Sequence, residues 1–219
     1  MSNAPDVWLH TEHGSNIGMS SAWWWSRGVT MQLHRILVEH NGSQEIMDGN
    51  LLLLALRQVI RGAEMSGRHA KTDAASGMIG QALNDFDNAI PGGKDARDVI
   101  EHFDEYTQGV GRLQQGHVRD PKKRVPNDQL AEDFRVGWRW DLTSEGRRPV
   151  LTVGPFDIDL INAEDASFRL QCNVYEALLT DEGRPIPPGW TYNVQRQGPM
   201  APMKVEPDEG PQAENISPA

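Results

Sequence analysis

The sequence predicts a mainly α protein: an up-and-down helical bundle with a small antiparallel β-hairpin or meander inserted before the last helix. Three observations carry that expectation. Apolar residues recur at helical spacing through the first half of the 219-residue chain. Phe134, Val136, Trp138, Trp140 and Leu142 then alternate strictly with Arg135, Gly137, Arg139 and Asp141, the two-residue period of a half-buried strand. Finally, Ala166, Leu170, Val174 and Leu178 fall at intervals of four, as in a closing helix.

Each element has its own local reason. Residues 1–20 are polar and aperiodic and read as a loosely ordered lead-in. Val29, Leu33, Ile36 and Leu37 place a first helix over about 26–40, stopped by Asn41-Gly42. The second, about 44–66, is apolar nearly all round where Leu51 to Leu54 begin it, which suits a helix inside a bundle. Met78, Ile79, Leu83, Phe86 and Ile90 define a third over about 73–90, ended by Pro91-Gly92-Gly93. A fourth over about 94–115 is expected to bury Val99, Phe103, Tyr106, Val110 and Leu113 as one stripe.

After a polar connector, Ser144-Glu145-Gly146 reads as a turn and Val150 to Val153 as the returning strand. Phe156, Ile158 and Leu160 form a further short strand. Asn162 to Asp165 has the spacing of a capping box ahead of the last helix. Eight of the fourteen prolines lie between Pro185 and Pro218, so 181–219 is expected to be a disordered tail, its start pinned by Trp190, Tyr192 and Val194. One domain over 21–180 is the simpler organisation, because three strands are too few to stand alone.

Composition narrows the function. The formal net charge of −10 argues against a protein that coats nucleic acid or an anionic membrane over its whole surface. Only 117–148 is positive, with eight basic against six acidic residues. A single cysteine, Cys172, excludes an internal disulfide and a multi-cysteine zinc site, and it reads as an inert core thiol. No run of about 18 apolar residues and no secretory leader is evident, so a reduced, cytoplasmic setting is expected. His10 and His13 have metal-compatible spacing without a third ligand nearby, and His34 and His40 are out of helical phase, so neither a metal nor another cofactor is expected. Trp23, Trp24 and Trp25 suit a core or dimer contact. Gly109 and Gly111 make only a Gly-x-Gly fragment, and there is no nucleophile elbow; nucleotide kinases, Rossmann enzymes and serine hydrolases are disfavoured.

The segment with chemical content starts the fourth helix: Lys94-Asp95-Ala96-Arg97-Asp98-Val99-Ile100-Glu101-His102-Phe103-Asp104-Glu105. It holds Arg97 and His102 separated by four residues amid dense acid. Read as residues alone, Arg97 and Glu101 can pair at i,i+4, as can Asp98 and His102. Arg97 and His102 themselves lie about 140° apart on an ideal helix.

This string resembles the HEPN superfamily (higher eukaryotes and prokaryotes nucleotide-binding domain), whose active members carry an Arg-x(4–6)-His motif on a late helix. The likeness extends loosely over 20–180. It implies a metal-independent endoribonuclease of a toxin–antitoxin or phage-defence type, acting as a homodimer and regulated by an antitoxin or similar protein. By that resemblance His102 is the general acid/base and Arg97 holds the scissile phosphate, with Asp98 and Glu101 in support. RNA would follow the basic strip of Lys122, Lys123, Arg124, Arg135 and Arg139. The other reading of the same residues is a non-catalytic helical module for dimerisation or for binding a protein or nucleotide.

Overall fold

In a computed structural model of the chain, the structure describes residues 14–39, 42–114, 134, 136–144 and 146–186. Among these residues six helices and three strands follow in order: α1 (Gly14–Glu39), α2 (Gly42–Arg68), α3 (Asp73–Ala89), α4 (Gly93–Glu101), α5 (Phe103–Thr107), β1 (Val136–Thr143), β2 (Gly146–Val153), β3 (Phe156–Asp159) and α6 (Leu160–Asp181). The expected class holds: a mainly helical protein with a three-stranded antiparallel meander, ordered β1-β2-β3, before the last helix. No helix among the described residues is long and apolar enough to cross a membrane.

The core is one cluster. Val29, Leu33 and Ile36 of α1, Leu52, Leu56 and Val59 of α2, Ile79 and Phe86 of α3, and Leu170, Val174 and Leu178 of α6 meet in it. Leu151 and Ile158 add the inner face of the sheet. The α1–α2 hairpin is its frame. A Cβ on Gly62 would sit 2.6 Å from the Gly18 carbonyl oxygen and 2.6 Å from the Ala22 nitrogen, so the two backbones touch where both residues are glycine. The same register sets Gly28 against Ala55 and pairs Arg35 with Asp48 at 3.2 Å.

Several boundaries differ from those expected, each for a local reason. α1 begins at Gly14, so residues 14–20 belong to a helix and only 1–13 of the supposed lead-in lie outside the described residues. Met19 and Ser15 are buried there, and the Ser66 hydroxyl donates to the Ser15 carbonyl at 2.7 Å, so tertiary contact replaces the missing apolar period. β2 starts at Gly146 and passes through Pro149, which pairs with Trp140 beyond the end of β3, where the strand has one neighbour only. The cap of α6 is Asp159, whose carboxylate accepts from the Ile161 and Asn162 N–H groups, one turn earlier than the Asn162 box.

The largest departure concerns the fourth helix, which stops at Glu101. His102 takes φ −116° and ψ 32°, and a five-residue helix follows. The turn keeps Tyr106 buried and swings Phe103 and Val110 outward to 65% and 53% exposure, so the expected single stripe is split.

The far end of the bundle is tied by α6. Asp181 accepts from the Lys71 N–H at 2.9 Å, from the Thr72 N–H at 2.7 Å and from the Thr72 hydroxyl at 2.8 Å. Thr72 is in turn the N-cap of α3.

Candidate functional site

α4 is built so that its two faces have different partners. Gly92, with φ of +77°, begins it after the Pro91 break, and Ala96 and Val99 anchor it on the core. Along the face toward α2, Arg57 pairs with Glu101, while the Arg97 Nε lies 4.0 Å from the same carboxylate. Glu101 and Arg97 are 15% and 22% exposed, and the Arg97 Nε has no hydrogen-bond partner among the described residues. Arg57, Asp87, Lys94 and Arg97 border a cavity of about 20 Å³, room for a single water rather than a phosphate.

The outer face carries a second network. Asp98 accepts from the Tyr106 hydroxyl at 2.9 Å and from the Arg112 Nε at 3.2 Å, and Arg112 reaches on to Asp95 at 2.6 Å. Tyr106 also accepts from the Leu113 N–H at 3.3 Å, and the buried Gln114 amide donates to the Tyr106 carbonyl at 2.9 Å. Burial, with Asp98 beside it, pushes the Tyr106 hydroxyl up to about 12. The carboxylates of Asp95 and Asp98 hold the Arg112 guanidinium still more firmly protonated.

The four residues expected at a catalytic centre are therefore distributed as follows. Arg97 and Glu101 face α2. The Asp98 carboxylate is committed to Tyr106 and Arg112; the His102 backbone N–H donates to the Asp98 carbonyl at 3.1 Å, and among the described residues no side-chain hydrogen bond or ion pair joins the two. His102 stands at the helix break, its side chain 51% exposed and its Nδ1 3.5 Å from Glu105. No hydrogen bond or ion pair joins Arg97 to His102 among the described residues of one chain.

Of the expected RNA strip, Lys122, Lys123, Arg124 and Arg135 lie outside the described residues, as do His10, His13 and His40. Arg139 is described, and both its edges are engaged. It donates to Asp157 through Nη1 and Nη2 at 2.8 Å each, and to Asp141 through Nε at 2.7 Å. The Arg139 contact holds the Asp157 carboxyl below its ordinary range. Cys172 is buried, and burial with Glu176 beside it pushes the thiol up to about 11, far from a thiolate nucleophile.

Wider grooves exist elsewhere. One of about 410 Å³ runs between α3 and α6 past Asp85, Asp165 and Arg169, and the Arg169 Nε pairs with Asp165 at 2.6 Å. Another of about 390 Å³ lies between α2 and α3. No group of three metal-ligating side chains occurs among the described residues.

A feature that the sequence reading missed is on α1. Ile17, Trp24, Met31 and Val38 recur every seven residues and are 46%, 47%, 65% and 57% exposed. At 100° per residue they form a stripe about 180° from the buried face of Ala22, Ser26, Val29, Leu33 and Ile36. On α2, Met47, Leu51 and Leu54 are also exposed, and the hairpin register sets Leu51 level with Met31. Trp24 packs edge-on against Trp23 with centroids 5.0 Å apart, and the Arg27 guanidinium lies 5.0 Å over Trp23. The seven-residue recurrence is visible in the sequence once the helix is known to start at Gly14. No family model, curated protein or solved structure matches the chain.

Proposed function

We propose that this chain is a non-catalytic helical interaction module whose working surface is the outer face of the α1–α2 hairpin. The observation that carries the reading is the stripe of Ile17, Trp24, Met31 and Val38, set opposite the core of a 26-residue helix. An isolated exposed apolar residue needs no explanation, but four in a seven-residue period do. That period is the one that keeps a seam facing a second helix. The α4 geometry supports the same reading, because Arg97 lies toward Glu101 on the α2 side, 4.0 Å from its carboxylate, while the His102 side chain stands at the helix break beside Glu105.

The test is complementation of a deletion in the source cell. Arg97→Ala and His102→Ala are expected to restore the phenotype, and Trp24→Glu combined with Met31→Glu is expected to fail while melting like the parent. Failure of the two alanine variants with success of the α1 variant overturns the reading.

Endoribonuclease activity is the second reading, and one observation favours it: the His102 imidazole is half exposed to solvent beside Glu105, within reach of a bound substrate. It requires a phosphate-binding cation from elsewhere, such as a second protomer. RNA cleavage that persists in EDTA and is lost in both His102→Ala and Arg97→Ala would establish it; intact RNA under broad conditions removes it.

A further inference from the structure

We infer that the groove between α3 and α6 binds a small organic monocation, an amine carried on an apolar body, with Asp85 as its counter-ion. The inference is independent of the α1 face.

The groove is a consequence of small side chains. Its floor is formed by Ala82, Phe86, Ala166 and Leu170, all buried. Ala82, Ala89 and Ala166 carry only a methyl, so the two helices meet without filling the space above that floor. About 410 Å³ remains open, within the range of small-molecule sites and far beyond the needs of a single water. Along α3 the lining runs from Ala82 to Ala89, about 10 Å of helix. That trough is too short for a docked helix and fits a compact ligand.

Charge gives the ligand its sign. Asp85 stands on the α3 wall and Asp165 on the α6 wall, and Arg169 is the single cation among the lining residues. Arg169 pairs with Asp165 through Nε at 2.6 Å. Asp85 accepts one hydrogen bond, from the Gln81 amide at 2.8 Å, and no cation pairs with it among the described residues. α3 itself holds Asp73, Asp85 and Asp87 and no basic residue. Two carboxylates against one guanidinium leave the groove with a net charge that one ammonium neutralises.

The floor gives the ligand its body. Asp85 is exposed, and an exposed ion pair contributes little alone, so the ammonium must bring apolar surface to cover the alanines and Phe86. A metal ion lacks ligands here, because no group of three metal-ligating side chains occurs among the described residues. An anion would meet two carboxylates.

The experiment titrates the full chain at physiological salt with phenethylamine, phenethyl alcohol and 3-phenylpropionate, which share a ring and differ in charge. Calorimetry is expected to show saturable binding of the amine with a Kd of about 1 mM or tighter. The alcohol should bind about fivefold more weakly or worse, and the carboxylate not at all. Amide shifts caused by the amine should cluster on residues 82–89 and 162–173. Asp85→Asn should weaken the amine about fivefold or more and leave the alcohol unchanged. Asp104→Asn, outside the groove, should change neither, and thermal melts establish that both variants fold. Equal affinity for amine and alcohol overturns the inference, as does an amine affinity that Asp85→Asn leaves unchanged. Shifts clustered elsewhere, or no saturable binding of the amine, overturn it too.

Discussion

The Tyr106 hydroxyl donates to the Asp98 carboxylate over 2.9 Å, and this bond folds the segment after α4 back upon that helix. Tyr106 is 2% exposed, its ring lies 4.9 Å from that of Phe134, and Gly111 packs so close over it that a Cβ there would fall 2.5 Å from the ring. The residues from Asp95 to Gln114 thus form one small structural unit around a phenol.

Tyr106→Phe removes the donor to Asp98 and the acceptor for Leu113, and it should cost about 1–2 kcal/mol in denaturant unfolding. The pH dependence follows from the raised pKa. The folded value of about 12 exceeds the ordinary 10.0, so the folded state holds the proton more tightly. That contribution is fully present below pH 10 and is lost as pH rises through 12. Absorbance titration of tyrosinate should show one late step in the parent that is missing in Tyr106→Phe.

Asp181→Ala should lower stability by about 1–2 kcal/mol, because three donors at the start of α3 lose their acceptor. Against the upward pull of partial burial, the Lys71 and Thr72 donors hold the Asp181 carboxyl below its ordinary 3.8. Its contribution is therefore present above that value and is lost as pH falls through the lower folded one. Thermal melts between neutral and strongly acid pH should converge for parent and variant at the acid end. Parallel curves with no convergence would contradict the assignment.

Two glycine substitutions should move stability in opposite directions. Gly62→Ala drives a methyl into the backbone of α1 and should cost about 1–3 kcal/mol. Gly77→Ala lies inside α3 with nothing within 4 Å of the new methyl, and should gain about 0.5–1 kcal/mol through helix propensity alone. Denaturant midpoints measured side by side test both.

Arg57 and Arg97 share one carboxylate unequally. Arg57→Ala should destabilise by about 2 kcal/mol, since it strips the direct partner from Glu101, which is only 15% exposed. Arg97→Ala, losing a 4.0 Å contact, should cost about 0.5 kcal/mol or less. A larger loss in Arg97→Ala would show that Arg97 is the principal structural partner.

The helical periods of α2, α3 and α6 were legible in the sequence because those helices bury a stripe against the core, and burial is what writes a period. α1 was half legible. Its first turns bury Ser15, Asn16 and Met19 through close backbone packing, and small polar residues leave no apolar signal. The break at His102 was hidden for a different reason. Val99, Phe103, Tyr106, Val110 and Leu113 fit one helical wheel, but the Tyr106 hydroxyl gains its partners from residues eight before and seven after it. At the candidate site, i,i+4 spacing predicted the Arg97–Glu101 contact. It could not predict that Arg57 would claim Glu101, or that Arg112 and Tyr106 would take Asp98 from His102, because those choices are made between elements.

The tether at Asp181 closes the described residues 14–186 almost into a ring. α6 ends against the start of α3, and Gly14, where α1 begins, lies against the His69 side chain two residues before Lys71. The first and last helices therefore reach the same pole of the bundle. A permuted chain in which a short linker joins residue 186 to residue 14, with new ends opened at the exposed Pro91 turn, would keep the connection order of every packed helix pair. Connectivity at that pole is a convenience of synthesis, and the packing would hold the bundle without it.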